Sequence, residues 1–218
     1  MEIGLPINRV FLTSVANKSD LTFTWQMKEK LSDEQLILKY AKGDAEAFKI
    51  IYLRHKGSLF RYCLRQFSNH AVAEECFQDI WFKVINNRFN YQPKALFTTY
   101  LYRIAQNHVI DIYRKEKKRL SDTEFEEGIV NKTVLGDALA AKEPSSLQER
   151  ARILRKKIAL LPFEQRNTLL LKLDAGLSLE EIGTVLGCGK ETVKSRLRYA
   201  TKKLRGMLED SLGAERNE

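Results

Sequence analysis

The 218 residues contain only three cysteines, Cys63, Cys76 and Cys188, with no CxxC spacing. An odd, scattered set supplies neither a disulfide framework nor a zinc site, and His55, His70 and His108 form no recognisable ligand constellation. No cofactor or metal is therefore expected. A reduced cytoplasm fits this cysteine usage. The start of the chain lacks a basic stretch followed by an apolar run and a small-residue cleavage site, and nowhere do eighteen apolar residues run together. Export and direct membrane insertion are not expected. Also missing are GxxxxGK[ST], HExxH and GxSxG, so no pattern nominates an enzyme or a small-molecule substrate. Strand signals are absent too, and the periodicity is helical throughout, an all-α reading.

What is present in excess is positive charge. Lys and Arg number 37 against 28 acids, a net charge of +9. That balance points to a polyanionic partner, although ribosomal, membrane-surface and DNA-binding proteins share it. The length allows one large domain or two small ones, each with its own core.

The segment Leu177–Arg205 narrows the choice. Ser178 and Glu181 form a capping box, Leu179, Ile182 and Leu186 give the first helix one apolar face, and Gly187-Cys188-Gly189 supplies a short turn. Val193, Leu197, Ala200 and Leu204 then return at helical spacing, leaving Lys190, Thr192, Lys194, Ser195, Arg198 and Lys202 directed outward. Between Lys190 and Arg205 stand seven basic residues and one acid, Glu191. Cap, turn, register and charge agree on a helix-turn-helix with a DNA-facing second helix, against the plainer reading of a solvated basic hairpin.

Upstream, residues 1–26 have weak periodicity and read as a poorly ordered extension, with Met27 a candidate translation start. A helical domain spans 27–118. Ser32 and Gln35 cap its first helix, Gly43 closes it, and Asp44 caps the second. His55 lies within that helix's apolar spacing and reads as core-edge. A third helix is expected over about 71–87 and a fourth over about 95–118. Residues 119–146 read as a flexible acidic linker, with Asp122, Glu124, Glu126, Glu127, Asp137 and Glu143 outnumbering Lys132 and Lys142. About 25 flexible residues span roughly 25–30 Å, so the flanking domains need not touch. Helices resume over 147–210, ahead of a short tail at 211–218.

Two further constellations stand out. With Val72, Cys76, Ile80 and Val84 inward, Glu75, Gln78, Asp79 and Phe82 share another face of the third helix. An aromatic among carboxylates fits either cover by a neighbouring helix or an acidic docking stripe. Between Arg88 and Arg119, Phe89, Tyr91, Phe97, Tyr100, Tyr102 and Tyr113 interleave with basic residues, as stacking on an unpaired strand requires. Tyr102 reads as core, whereas Phe89, Tyr91 and Tyr100 remain open between core and strand contact.

GDAEAF at Gly43–Phe48, AEECFQDIWFKV at Ala73–Val84 and FTTYLYRIAQN at Phe97–Asn107 resemble sigma factors of bacterial RNA polymerase. With LPFEQRNTLLLKLDAGLSLEEIG and TVKSRLRYA in the second domain, the resemblance is to the extracytoplasmic-function (ECF) group, over roughly 27–208. It implies a two-domain initiation factor. The first domain would bind core RNA polymerase through Glu75, Gln78, Asp79 and Phe82. It would handle the melted minus-ten strand through Phe89, Asn90, Tyr91, Tyr100, Arg103 and Asn107. The second would read the duplex minus-thirty-five element through Lys190, Thr192, Lys194, Ser195, Arg198, Tyr199 and Lys202. A sequestering anti-sigma factor is implied, with no motif naming it. Tyr100 stands where tryptophan is usual, Glu191 where glycine is common and Tyr199 where arginine is frequent. These departures bear on promoter sequence rather than on the class of activity. The alternative is a two-domain helix-turn-helix regulator that recruits no polymerase, which leaves the Glu75–Phe82 stripe without a purpose.

Overall fold

The computed structural model describes residues 30–67, 69–122 and 146–214, as eight α-helices and one 3-10 turn with no strand among them. The expected extension at 1–26, the acidic segment 123–145 and residues 215–218 lie outside the described residues.

Local sequence sets most of the boundaries. Helix α1 (Asp33–Ala41) opens on a reciprocal capping box between Ser32 and Gln35. Helix α2 (Ala45–Gln66) starts at Asp44, whose carboxylate accepts from the Ala47 amide. Asn69 caps α3 (His70–Asn86) in the same way. A 3-10 turn at Arg88–Asn90 follows, and α4 runs from Phe97 to Asp122. That helix therefore extends past 118, into what the sequence suggested was linker. Its start is held by a long-range contact, because Glu34 of α1 accepts from the Phe97 amide at 2.8 Å. Asp33 ties α1 to α2 by bonds of 2.6 Å from both Arg54 and His55. Burial raises the Asp33 carboxyl, but those two bonds leave it below the ordinary range. Leu36, Ile51, Leu59, Tyr62, Ile80, Leu101 and Tyr102 fill the core between these helices.

The second unit comprises α5 (Ser146–Ala159), α6 (Phe163–Leu173), α7 (Leu179–Leu186) and α8 (Lys190–Ala214). Pro162 separates α5 from α6. The expected capping box of Ser178 and Glu181 is formed, and Gly187 takes the left-handed conformation, φ +65°, that ends α7. Leu170, Ile182, Val193 and Ala200 are fully buried, which seats α8 on α6 and α7 in the anticipated register.

Gly183 lets this turn close tightly. The Cys188 amide donates to the Gly183 carbonyl at 3.0 Å, and a Cβ on Gly183 would lie 2.7 Å from the Cys188 carbonyl oxygen. Gly183→Ala is expected to destabilise the chain by about 1–3 kcal/mol, as overpacking does. Thermal unfolding checks this, with a midpoint lowered by several degrees.

The two units touch. Helix α7 packs on α4, and α2 meets both α5 and α6. The reach of the intervening segment had left this open. Complementary polar groups on α2, α4 and α6, together with the Tyr113–Phe163 ring contact at 4.8 Å, join the units.

Candidate nucleic-acid and docking surfaces

On α8, Thr192, Lys194, Arg198, Tyr199 and Lys202 are exposed and Ser195 is half-buried. Positions 194, 198 and 202 recur at one-turn spacing, so they line one stripe. Lys190 is exposed but bonded to Glu180 of α7, and Lys194 holds Glu191 at 2.7 Å. Both pairs sit in solvent and are weak enough for a phosphate to displace. The Glu180–Lys190 bond draws the glutamate down and the lysine up in pKa, so both stay ionised. Arg196 differs from its neighbours. It bonds Glu164 of α6 at 2.9 Å and its guanidinium approaches the Cys188 thiol, which makes it a strut between helices. Arg198 lies 5.2 Å from the Tyr199 ring centroid, so a cation and an apolar face project together from the exposed side.

The 3-10 turn presents Phe89, which is 68% exposed, with the Arg88 guanidinium 4.1 Å from its ring centroid. A large ring left in water and flanked by a cation suits a stacked base. Asn90 is exposed beside it. Tyr91 is placed differently, buried against Tyr100 and Phe97 at centroid distances of 5.0 and 6.1 Å. Burial first, then the Glu34 carboxylate, pushes its phenol up to about 12. Tyr91 therefore supports the turn from beneath. Tyr100 is half-buried, while Arg103 and Asn107 are exposed. Their spacing of three and four places them on one face of α4, running away from Phe89. Leu96, 56% exposed at the head of α4, joins this surface and was not anticipated. A lone leucine between Ala95 and Phe97 carries no sequence signal of exposure.

The third surface is an open groove of about 530 Å³ between α2 and α3. Its walls include Tyr52, Phe60, Phe77, Trp81 and Phe82, with Lys56 and Gln78 at its polar margin, and Gly57 leaves room between the helices. Tyr52 packs on Trp81 at 5.1 Å and Phe60 on Phe77 at 5.3 Å, so its walls are preformed. The anticipated stripe is divided. Gln78 and Phe82 line the groove, Glu75 is exposed outside it, and the Asp79 carboxylate lies 3.1 Å from His108 Nε2 of α4. Lys83 approaches the other nitrogen of His108 at 2.8 Å. Burial and the lysine lower the His108 pKa, which favours the neutral ring.

Among the described residues no helix is long and apolar enough to cross a membrane, and no group of three or more His, Cys, Asp or Glu is placed to hold a metal.

Residues 51–119 match the family Sigma-70 region 2, and residues 158–206 match Sigma-70, region 4. The ECF RNA polymerase sigma factor SigW of Bacillus subtilis is 30% identical over 178 residues, covering 80% of this chain and 95% of the relative. The solved structure of CnrH in complex with the cytosolic domain of CnrY is similar at a TM-score of 0.61 and 22% identity, over 82% of this chain and 97% of that one. The sigma factor RpoE in complex with the anti-sigma factor NepR from Bartonella quintana gives 0.60 and 23%, over 74% and 96%. Both structures share the fold.

Proposed function

This chain belongs to the ECF sigma factors of the sigma-70 family, and from that premise we propose how its surfaces divide the work of starting transcription. It is an initiation factor that binds core RNA polymerase and directs it to specific promoters. The groove between α2 and α3 takes up a helical element of the polymerase, with Phe82 and Gln78 as principal contacts and Glu75 and Asp79 at the margin. Phe89, Asn90, Tyr100, Arg103 and Asn107 handle the melted minus-ten strand over a floor supplied by Tyr91. Lys190, Thr192, Lys194, Ser195, Arg198, Tyr199 and Lys202 meet the minus-thirty-five duplex. Functional boundaries are proposed at 27–118 and 147–210. An anti-sigma factor is the expected regulator, the protein works in the cytoplasm, and it catalyses no reaction of its own.

The observation that carries this reading is the groove. A regulator that recruited no polymerase would need α8 and its scaffold, yet would have no use for an open aromatic cleft on the other unit. Reconstituting the chain with core RNA polymerase from its own source, and sequencing transcripts made from fragmented genomic DNA, tests the proposal. Discrete start sites sharing two upstream elements are expected. Transcription no more selective than that of core polymerase alone would refute it.

Base reading and backbone contact separate along α8. Arg198→Ala is expected to cost about 1–3 kcal/mol and to relax preference at one or two base pairs. Lys203→Ala should instead weaken all sequences alike and lower the salt slope by about one. Titrating both variants against a randomised upstream element at several salt concentrations distinguishes them. A uniform loss with Arg198→Ala would make it a phosphate contact.

A further inference from the structure

Phe89 stands on a three-residue 3-10 turn with 68% of its surface in water, a setting in which an aromatic side chain ordinarily samples several rotamers. A base that stacked on such a ring would lose part of the gain to ordering it. The neighbouring residue removes that freedom. Arg88 is half-buried where Phe89 is exposed, and its guanidinium lies over two rings, 4.1 Å from the Phe89 centroid and 5.4 Å from that of Tyr40 on α1. Its Nη1 donates to the Ile85 carbonyl at 2.7 Å, in the last turn of α3.

The support beneath this contact is firm. Tyr40 packs on Phe48 at 4.7 Å, and Phe48 meets Trp81 edge-on at 5.7 Å. A run of contacts that begins at an exposed ring therefore ends in the core of the first unit, where Trp81 is 4% exposed.

This arrangement calls for arginine in particular. A planar cation stacks on an aromatic face, hydrogen-bonds at its edge while doing so, and stays charged at any physiological pH. Lysine offers the charge without the plane. The stack also makes the two faces of Phe89 unequal, because the guanidinium takes one and leaves the other for a single base.

We propose that Arg88 is a positioning residue of the strand-handling surface: its guanidinium is a spacer, set against Tyr40 and hung from Ile85, that holds the Phe89 ring ready for one unpaired base. The role acts through Phe89 and rests on the strand reading of that ring. Arg88 makes no contact with the nucleotide itself, since its plane and its Nη1 are already engaged.

The test uses holoenzyme reconstituted from the full chain and core RNA polymerase. Its ligands are single-stranded oligonucleotides of either strand of the minus-ten element recovered by transcript mapping, with one nucleotide at a time made abasic. An abasic position removes the stacking partner and keeps the phosphates. For the parental chain, the abasic change at one nucleotide is expected to weaken binding about tenfold or more, the size of a lost base–aromatic stack. Phe89→Ala should abolish that penalty. Arg88→Ala and Arg88→Lys should each reduce it to about threefold or less, the ring being present but no longer held. Tyr40→Leu, which removes the far ring without touching the turn, should reduce it as well. All four variants should compete for core polymerase as the parental chain does, which reads folding separately.

A parental penalty in Arg88→Ala would overturn the spacer. So would one in Arg88→Lys, because charge without the plane would then suffice. An unchanged penalty with a salt slope lowered by about 0.7 would make Arg88 a phosphate contact instead. If no position carries a penalty in the parental chain, or if Phe89→Ala retains it, the strand reading of Phe89 fails, and the spacer with it.

Discussion

Replacing Phe82 and Gln78 together with alanine is expected to weaken binding to core RNA polymerase by about 3 kcal/mol or more, roughly 150-fold. Both residues line the groove between α2 and α3, and Phe82 is only half-buried there, so truncation removes a contact surface without opening the core. The aromatics Tyr52, Phe77 and Trp81 pack on one another and would keep the walls in place. Thermal unfolding should consequently stay close to parental. Asp79 is a poorer single probe, because removing it also takes away the carboxylate beside His108 on α4. Affinity is best measured by competition with another sigma factor for core polymerase, alongside binding of the same variant to the minus-thirty-five duplex. Undiminished competition would remove Phe82 from the docking surface and return it to an incidental half-covered position.

Promoter opening should respond nearly as strongly to Phe89→Ala combined with Asn107→Ala. Base stacking on an aromatic contributes about 1–3 kcal/mol, and a hydrogen bond about 1 kcal/mol. Loss of both is expected to slow open-complex formation by about 30- to 700-fold on duplex promoters, with a much smaller defect on templates carrying a pre-melted bubble. Tyr91→Ala provides the contrast. Its ring is buried against Phe97 and Tyr100, so truncation leaves a cavity and should cost about 3–5 kcal/mol of stability, with comparable defects on both templates. If Phe89 and Asn107 variants also fail equally on both templates, their contribution is packing rather than strand capture.

The difference between Phe89 and Tyr91 shows where sequence reasoning stops. Both rings stand among basic residues two positions apart, and nothing in composition separates them. The 3-10 turn decides, by directing one outward and the other under α4. Caps were legible because their chemistry is local: Ser32 with Gln35 and Ser178 with Glu181 need only a spacing of three residues. The outward stripe of α8 was legible for the same reason, while Arg196, outside that stripe but one of the seven basic residues between Lys190 and Arg205, braces α6. Phe82 was visible as an aromatic out of register, whereas Tyr52, Phe60 and Phe77 were hidden within ordinary apolar periodicity. Asn167, Gln106 and Gln66 looked like unremarkable polar positions. Their significance comes from pairing across 61 to 105 positions of chain, which no local pattern encodes.

That pairing bears on how such factors can be recombined. It constrains any chimera in which the C-terminal half of this chain is exchanged for another. A grafted C-terminal half brings its own side chains to positions 167 and 174, opposite Tyr62, Gln66, Gln106 and Arg65, which stay behind. A hybrid that ignores this match would leave buried polar groups unpaired and lose stability even where each half is intact. Transplanting the seam residues along with the graft would keep each buried polar group paired and make the stability of the hybrid separable from the choice of promoter.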